Sequence, residues 1–211
     1  MAVYLFDQIE TFTDDLYDQS LALLPAERQQ KAAAYRQKID RKLSVLAYVL
    51  LNYGLKREYG ITEKIEFSYC AKGKPLLTHY PQLHFNLSHC QNGVICAIHR
   101  SAVGVDIERV EVYDADLARH VCHERELKLI SESDNKALAF AKIWTKKESL
   151  LKKTGEGLVD DLKKMDTIDS EAIVLVDPAE AYVFSIAGMS FAELGLRPIS
   201  GLVSSLEFSH Y

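Results

Sequence analysis

Long apolar runs and an excess of positive charge are both missing from this sequence. None of its apolar stretches approaches the roughly 18 residues that a membrane-spanning helix needs. Residues 1–7 also lack the basic and apolar regions of a secretory signal peptide. The formal net charge of −5 gives no general attraction to nucleic acid or to an anionic membrane. We therefore expect a cytoplasmic protein that binds neither nucleic acids nor membranes.

Cysteine is scarce as well. The cysteines have neither the spacing of a zinc site nor the density of a secreted disulfide scaffold. They are Cys70, Cys90, Cys96 and Cys122. We interpret them as buried free thiols in a reducing compartment. A content of 48% hydrophobic and 26% charged residues is that of an ordinary globular protein, which excludes a disordered or fibrous chain.

Hydrophobic periodicity predicts strands and helices in both parts of the chain. A strand is expected over 3–6, followed from Pro25 to Tyr59 by two helices that meet near Asp40. Alternating patterns predict further strands at 65–69, 84–88, 94–98 and 102–108. The dipeptide Asn92-Gly93 indicates a hairpin between the second and third of these.

The second part of the chain repeats the order of helix followed by strands. A helical pattern covers 123–153, and strands are predicted at 173–176, 181–186 and 201–208. This recurrence predicts an α+β fold of two similar halves, 1–101 and 102–211, in which helices pack on small, mainly antiparallel sheets. No linker rich in proline, glycine or serine divides the halves, so we expect them to pack together around a shared cleft.

Three groups of residues could carry chemistry. In the strand 102–108, Asp106 and Glu108 lie two apart and so face the same side, where they offer the hard oxygen ligands that Mg²⁺ prefers. Paired acids of this kind are more often a solvated strand edge. The preceding Gly104-Val105 favours the buried end of a strand instead.

The second group lies on a predicted helix, where Trp144, Glu148 and Lys152 recur at every fourth position and form one stripe. The third group combines the turn Gly73-Lys74-Pro75 with the strand end 85–89, which carries Ser88 and His89. Cations, hydroxyl groups and histidines are good phosphate contacts. Taken singly, each group is also compatible with surface ion pairs, a solvated lysine and a structural histidine.

Together the three groups resemble the 4'-phosphopantetheinyl transferase superfamily, in its larger, pseudo-dimeric branch typified by the activator of surfactin synthetase. The family's lysine-proline turn, its Phe-Asn-x-Ser-His strand end, its Gly-x-Asp-x-Glu strand and its Trp-x-x-Lys-Glu-x-x-x-Lys helix occur here in that order. They correspond to 73–75, 85–89, 104–108 and 144–152. A weaker likeness extends over 25–50 and to the segment 155–158.

The resemblance implies an enzyme that moves the phosphopantetheine arm of coenzyme A to a serine of an apo acyl or peptidyl carrier protein and releases 3',5'-ADP. It implies a pseudo-dimer with the active site in the cleft between the halves, and a chain that acts as a monomer. By the same resemblance, Asp106, Glu108 and Glu148 would hold Mg²⁺, or Mn²⁺ in its place. Lys152 would stabilise or protonate the departing ADP.

The resemblance also implies the residues that bind coenzyme A. The 3'-phosphate candidates are Arg28, Lys31, Arg41 and Ser44. The adenine would be flanked by the turn Lys72, Gly73, Lys74, Pro75 and Leu76. The phosphates would be fixed by Lys74, Ser88, His89 and Lys147. Leu43 stands where many relatives carry an arginine, so the residue that contacts the 3'-phosphate is left open.

Two further points stay open at the level of sequence. The base that activates the carrier serine is Glu148, acting directly or through a metal-bound water, or else Glu126. The carrier is expected to dock beside the helix around 120–129, where basic residues could steer its acidic helices. Those basic residues are Arg119, Arg125 and Lys128.

Two other functions compete with this interpretation. A catalytically silent module that binds coenzyme A or a nucleotide would lack a metal carboxylate or the motif lysine, whereas Asp106, Glu148 and Lys152 are all present. A magnesium-dependent phosphoesterase would use the same acids with water as the nucleophile. The pathway that the carrier serves cannot be read from the motif residues.

Overall fold

The fold is α+β, and a computed structural model describes residues 2–155, 157, 162–179 and 181–198. The strands are β1 (Ala2–Phe6), β2 (Phe67–Tyr69), β3 (Pro75–Leu77), β4 (His84–Cys90), β5 (Gly93–His99), β6 (Gly104–Arg109), β7 (Ile173–Val176), β8 (Tyr182–Ala187) and β9 (Leu196–Pro198). The α-helices are α1 (Asp14–Leu23), α2 (Ala26–Ala33), α3 (Lys38–Tyr59), α4 (Ala115–Val121), α5 (Glu124–Glu132) and α6 (Lys136–Thr154). Short 3₁₀ turns occur at Ile9–Thr11, Leu162–Lys164 and Phe191–Glu193.

The strands form two main sheets, one for each half of the chain. The first has the order β4-β5-β1-β9, in which only the β1–β9 pair is parallel. The second is the antiparallel sheet β6-β8-β7. A separate hairpin joins β2 and β3. Because β9 pairs with β1, the second half also contributes a strand to the sheet of the first.

Alternation along the strands explains how the layers stack. All seven residues of β5 are buried. Val94, Cys96 and Ile98 contribute to the core beneath α3, whereas Ile95 and Ala97 contribute to a second core shared with β6 and β8. Successive side chains of a strand point to opposite faces. The two sheets therefore pack face to face, with α3 on the outside of one and α6 on the outside of the other.

The strand β6 shows the same alternation and thereby presents its acids to α6. Val105 and Ile107 lie in the core between the sheets, and Asp106 has the opposite parity. A Cβ atom added at Gly104 would collide with the backbone of α6 at Ser149 and Lys153, so glycine permits the close approach of this strand to the helix. The prediction that Asp106 and Glu108 share a face is confirmed.

Most predicted elements are present, with altered bounds. The β4–β5 hairpin is confirmed, but Cys90 pairs with Gly93, so the two turn residues are Gln91 and Asn92. A Cβ atom at Gly93 would lie 3.0 Å from Ile107 Cδ1, so this glycine serves packing rather than the turn. The helical pattern predicted over 123–153 is divided between α5 and α6, because the Asn135 side chain accepts a hydrogen bond from the Leu138 N–H and begins α6 anew.

Several elements were not predicted. The helix α1 buries only Ser20, and α4 spans seven residues, so neither has a long apolar period. Both have N-cap side chains, Thr13 and Asp114, that accept hydrogen bonds from the first turn. The three-residue strand β9 is too short for a pattern. The strand predicted at 201–208 lies outside the described residues, as does Leu158 of the likeness at 155–158.

The four cysteines are free thiols, as expected, but only Cys96 and Cys122 are fully buried. Cys70 and Cys90 are half-buried. Within the described residues, no helix has both the length and the apolar character needed to cross a membrane.

Candidate active site

The strands β4 and β6 meet where the two halves of the chain join. The Asn86 Oδ1 accepts a hydrogen bond from the Val105 N–H at 2.8 Å, which satisfies a buried backbone donor of β6. Two residues further along β4, the Ser88 hydroxyl donates to Asp106 Oδ1 at 2.8 Å. These contacts bring Ser88 and Asp106 together although they belong to different sheets.

The helix α6 completes this group from its last turn. The Lys152 Nζ lies 2.5 Å from Asp106 Oδ1 and 3.1 Å from the Ser88 hydroxyl oxygen. Asp106 is only 1% exposed, and its second oxygen, Oδ2, is buried and has no hydrogen-bond partner. A buried carboxylate oxygen without a partner is costly, so this atom is available for a further cation or donor.

Two more carboxylates lie beside Asp106. Burial, followed by repulsion from Asp106 and Glu148, raises the pKa of Glu108 to about 7, although a hydrogen bond from Trp144 opposes that rise. Burial also raises the pKa of Glu148, where the nearby ammonium of Lys152 acts in the opposite direction and Asp106 adds to the rise. Burial and mutual repulsion therefore both disfavour the charged forms of Glu108 and Glu148.

The predicted stripe on α6 is present, with two hydrogen bonds to β6 and one residue at the cleft. The Trp144 indole Nε1–H donates to Glu108 Oε1 at 3.3 Å, Glu148 lines the cleft, and Lys152 reaches Asp106. The Trp144 ring also stacks on Phe140, with 6.3 Å between the ring centroids. Among the described residues, however, no three His, Cys, Asp or Glu side chains converge in the arrangement of a formed metal site.

The cleft between the halves has a volume of about 240 Å³. Its walls are the turn before β3, the middle of β4 and the end of α6. They include Lys72, Gly73, Lys74, Pro75, Asn86, Leu87, Glu148, Leu151 and Lys152. A cavity of about 320 Å³ between α1 and α3 is larger but contains none of the motif residues. We place the candidate site at the smaller cleft because Glu148 and Lys152 line it and Lys152 contacts Asp106. Leu76, the last residue of the predicted turn, is exposed.

The turn that carries Lys74 is held by its own backbone. The Cys70 N–H donates to the Lys74 carbonyl at 3.0 Å, and the Gly73 N–H donates to the Cys70 carbonyl at 2.9 Å. Gly73 has a φ of 84°, a left-handed conformation that glycine adopts without strain. The Lys74 side chain does not project into the cleft as a free cation, because its Nζ donates to three backbone carbonyls.

His89 connects the cleft to the helices that were predicted to bind the 3'-phosphate. Its ring packs edge-on against Tyr35 at 6.1 Å between centroids. Burial lowers the pKa of His89, and the charges of Lys152 and Lys31 add to that effect while Asp40 opposes it. His89 thus lies within electrostatic range of both Lys152 and Lys31.

The other 3'-phosphate candidates are less accessible. Arg28 is 6% exposed, and its guanidinium lies over the rings of Tyr48 and Phe67 at 5.5 and 5.8 Å. Ser44 is buried in α3. The Arg41 Nε–H donates to the Tyr35 carbonyl at 2.8 Å, next to the residue pair Tyr35 and His89. The structure therefore brings Lys31 within electrostatic range of His89 and ties Arg41 to Tyr35, while Arg28 and Ser44 are buried in the first half.

Lys147 and Glu126 do not reach the cleft. Both side chains are fully buried, and the Lys147 Nζ lies 2.8 Å from Glu126 Oε2. Lys147 also donates to the Leu162 and Met165 carbonyls. The other oxygen of Glu126, Oε1, accepts hydrogen bonds from the Thr167 N–H and hydroxyl. The prediction that Lys147 contacts a phosphate, and that Glu126 is a second candidate base, does not fit these positions.

The basic residues expected to steer a carrier are already paired with acids. Arg119 contacts Asp116, Arg125 lies 2.7 Å from Asp166 and 2.9 Å from Asp169, and Lys128 approaches Glu132. This face of α4 and α5 therefore carries little unbalanced positive charge, contrary to the expectation of a basic patch.

Sequence reasoning missed two contributors to the site. Asn86 lies within the strand-end motif but was given no role; a polar side chain at an inward position of a strand is the signal that could have found it. Tyr35 follows α2 without any motif, and only the folded chain brings it to His89.

Comparisons with known proteins find two matching family models. Residues 102–180 match the family model described as the 4'-phosphopantetheinyl transferase superfamily, and residues 12–101 match that of the 4'-phosphopantetheinyl transferase, N-terminal. Together the two matches cover most of the chain, from the first helix to the β7–β8 loop.

Among curated proteins, the 4'-phosphopantetheinyl transferase Sfp of Bacillus subtilis is 27% identical over 161 residues, which are 75% of this chain and 72% of the relative. The 4'-phosphopantetheinyl transferase gsp of Aneurinibacillus migulanus is 36% identical over 135 residues, 63% of this chain and 56% of the relative. The 4'-phosphopantetheinyl transferase psf-1 of Bacillus pumilus is 31% identical over 135 residues, with 63% and 58% covered. The chain thus spans little more than half of the last two relatives.

Proposed function

This chain belongs to the 4'-phosphopantetheinyl transferase superfamily, in the branch of the surfactin synthetase activator, and we propose that it transfers the phosphopantetheine arm of coenzyme A to a serine of an apo carrier protein. The second product is 3',5'-ADP. The observation that carries the proposal is the contact of Ser88, Asp106 and Lys152, which come from three elements of two halves.

In this reaction the carrier serine oxygen forms a bond to the β-phosphorus of coenzyme A. The bond from that phosphorus to the oxygen bridging it to the ADP portion breaks, and the serine proton passes to a base. Glu148 is the base in this proposal. It lines the cleft, where its carboxylate can accept the serine proton.

Lys152 acts at the other end of the reaction. Its ammonium is close to the cleft and partly exposed, so it can contact the pyrophosphate and stabilise the charge that grows on the departing ADP. The Ser88 hydroxyl donates a hydrogen bond to Asp106 and so holds this carboxylate in place beside Lys152.

Mg²⁺, or Mn²⁺ in its place, is the metal that we propose for this site. Asp106, Glu108 and Glu148 would hold it, because hard carboxylate oxygens suit either ion. The orphaned Asp106 Oδ2 and the mutual repulsion of the three acids support this choice. When bound, the metal would neutralise charge on the pyrophosphate.

Coenzyme A would lie along the cleft from the turn 72–76 to His89. Lys72, Gly73 and Pro75 would flank the adenine, and His89 with Lys31 and Arg41 would bind the 3'-phosphate and its neighbours. His89 packs against Tyr35, which follows the helix that carries Lys31, and this placement supports an anion-binding region that extends from the cleft toward α2.

The proposal includes the organisation of the chain. We divide the halves at 101 and 102, in accord with the two adjacent family matches. A monomer is sufficient, because one chain supplies Ser88 from the first half and both Asp106 and Lys152 from the second. A cytoplasmic location suits the four free thiols.

The test is to incubate the pure protein with coenzyme A, Mg²⁺ and a purified apo carrier, and to follow the intact mass of the carrier. A fatty-acid carrier and a peptidyl carrier are both tried. We expect the mass of the carrier to rise by one phosphopantetheinyl group. Both EDTA and the variant Glu148→Gln should abolish this rise. Release of free phosphopantetheine without a carrier would instead identify a phosphoesterase, and coenzyme A binding with no reaction would identify a silent module.

A further inference from the structure

The Lys74 side chain borders the cleft, but its ammonium group donates hydrogen bonds only to backbone carbonyls. Its Nζ donates to the Lys152 carbonyl at 2.6 Å, to the Lys153 carbonyl at 2.8 Å and to the Val103 carbonyl at 3.1 Å. An ammonium group has three N–H donors. All three are therefore used within the protein, and none is left for a phosphate.

The three carbonyls lie at the end of α6 and just before β6, the two elements that carry the catalytic residues. Lys152 and Lys153 lie in the last turn of α6, where backbone carbonyls lack partners within the helix. Val103 immediately precedes β6, the strand that carries Asp106. A cation at a helix C-terminus is also favoured by the helix dipole. Lys74 thus caps a helix of the second half from a turn of the first.

The other contacts at this helix end fit the same arrangement. The Gly155 N–H donates to the Leu151 carbonyl, so the cap residue and Lys74 satisfy different carbonyls of one turn. A Cβ atom at Gly155 would lie 3.0 Å from Lys74 Cδ, which shows that the aliphatic part of the lysine packs against the glycine.

We propose that Lys74 is a positioning residue, which holds the end of α6 against the start of β6 and thereby sets the Lys152 side chain against Asp106. This inference rests on the proposed function for its catalytic consequence. It also replaces the expectation that Lys74 binds a phosphate of coenzyme A.

The first test measures amide hydrogen exchange by mass spectrometry in the coenzyme-free protein. In Lys74→Met the backbone of the last turn of α6 should exchange about tenfold faster, because its carbonyls lose a charged donor. Lys136→Met, at the exposed start of the same helix, is the matched control and should leave that turn unchanged. Unchanged exchange in Lys74→Met would overturn the proposal, since a phosphate ligand has no effect before coenzyme A binds.

The second test separates turnover from binding. A misplaced Lys152 should lower kcat by about tenfold or more while the KM for coenzyme A changes by less than about twofold. A large rise in KM at constant kcat would contradict positioning and restore a phosphate contact.

If Lys74→Met does not fold, Lys74→Arg serves for both tests. A planar guanidinium cannot place three donors on one nitrogen, so both effects should persist in smaller size. Lys74→Arg with wild-type exchange and kcat would overturn the proposal. Failure of the wild type to transfer at all would refute the proposed function but not the exchange result.

Discussion

The Nζ of Lys152 lies 2.5 Å from Oδ1 of Asp106, although the two residues come from a helix end and a strand 46 positions apart. The Lys152 side chain is 31% exposed, whereas that of Asp106 is 2% exposed. The carboxylate is held in place by its burial, whereas the partly exposed ammonium borders the cleft. Lys152 is therefore the member of this pair that a ligand in the cleft can contact.

Replacing Lys152 by methionine should lower single-turnover transfer by about 100-fold, because the departing ADP loses its cation. Methionine retains most of the aliphatic chain, but the buried Asp106 carboxylate loses its cation, so unfolding in urea is measured alongside transfer. Lys163→Met, on the exposed turn 162–164, is the control and should transfer at the wild-type rate. Near-normal transfer by Lys152→Met would remove this lysine from the mechanism.

The sole tryptophan offers a direct probe of metal binding. Trp144 donates to Glu108, one of the proposed ligands, so titration with Mg²⁺ or Mn²⁺ should change its fluorescence in a saturable way. Glu108→Gln should weaken the response at least about tenfold, because a neutral amide is a poorer ligand for a hard divalent cation. A response of equal affinity in this variant would show that the metal binds elsewhere.

The buried pair of Lys147 and Glu126 should matter for stability rather than for coenzyme A. Lys147→Met leaves a buried carboxylate without its cation, which should lower the free energy of unfolding by about 3–5 kcal/mol in urea. The double variant with Glu126→Leu should recover much of that loss. A higher KM for coenzyme A with unchanged stability would instead support the phosphate contact expected from the sequence.

Gly104→Ala tests the close approach of β6 to α6. The added Cβ would meet the backbone at Ser149 and Lys153, which cannot yield as a flexible side chain can. We expect a loss of about 1–3 kcal/mol in urea unfolding, with reduced transfer as the helix moves away from Asp106. Wild-type stability of this variant would mean that the helix and strand are packed less tightly than the structure indicates.

The sequence was sufficient to predict which side chains share a face when they belong to the same helix or strand. The strand period predicted that Asp106 and Glu108 share a face, and the helical period predicted the stripe from Trp144 to Lys152. In both cases the structure confirms the arrangement, because a buried face and a regular backbone leave a side chain little choice of direction.

Other properties depended on partners that are distant in sequence. Lys147 belongs to the same motif as Glu148. Its side chain nevertheless contacts Glu126 and the 162–167 segment, and no sequence pattern connects these residues to it. From its sequence context Lys74 is compatible with a solvated loop lysine, but in the structure it donates to the end of α6. Such environments arise from tertiary packing, so the residue types alone predicted the wrong partners.

The most direct test of the central claim is transfer by Asp106→Asn, measured with the apo carrier that the wild type modifies best. Asparagine keeps the shape and the hydrogen-bonding oxygen but removes the charge that would face the metal and Lys152. We predict a loss of at least about 100-fold in transfer with the fold intact by circular dichroism, whereas Asp134→Asn, on the exposed loop before α6, transfers normally. Full transfer by Asp106→Asn would contradict the assignment of this cleft as the active site.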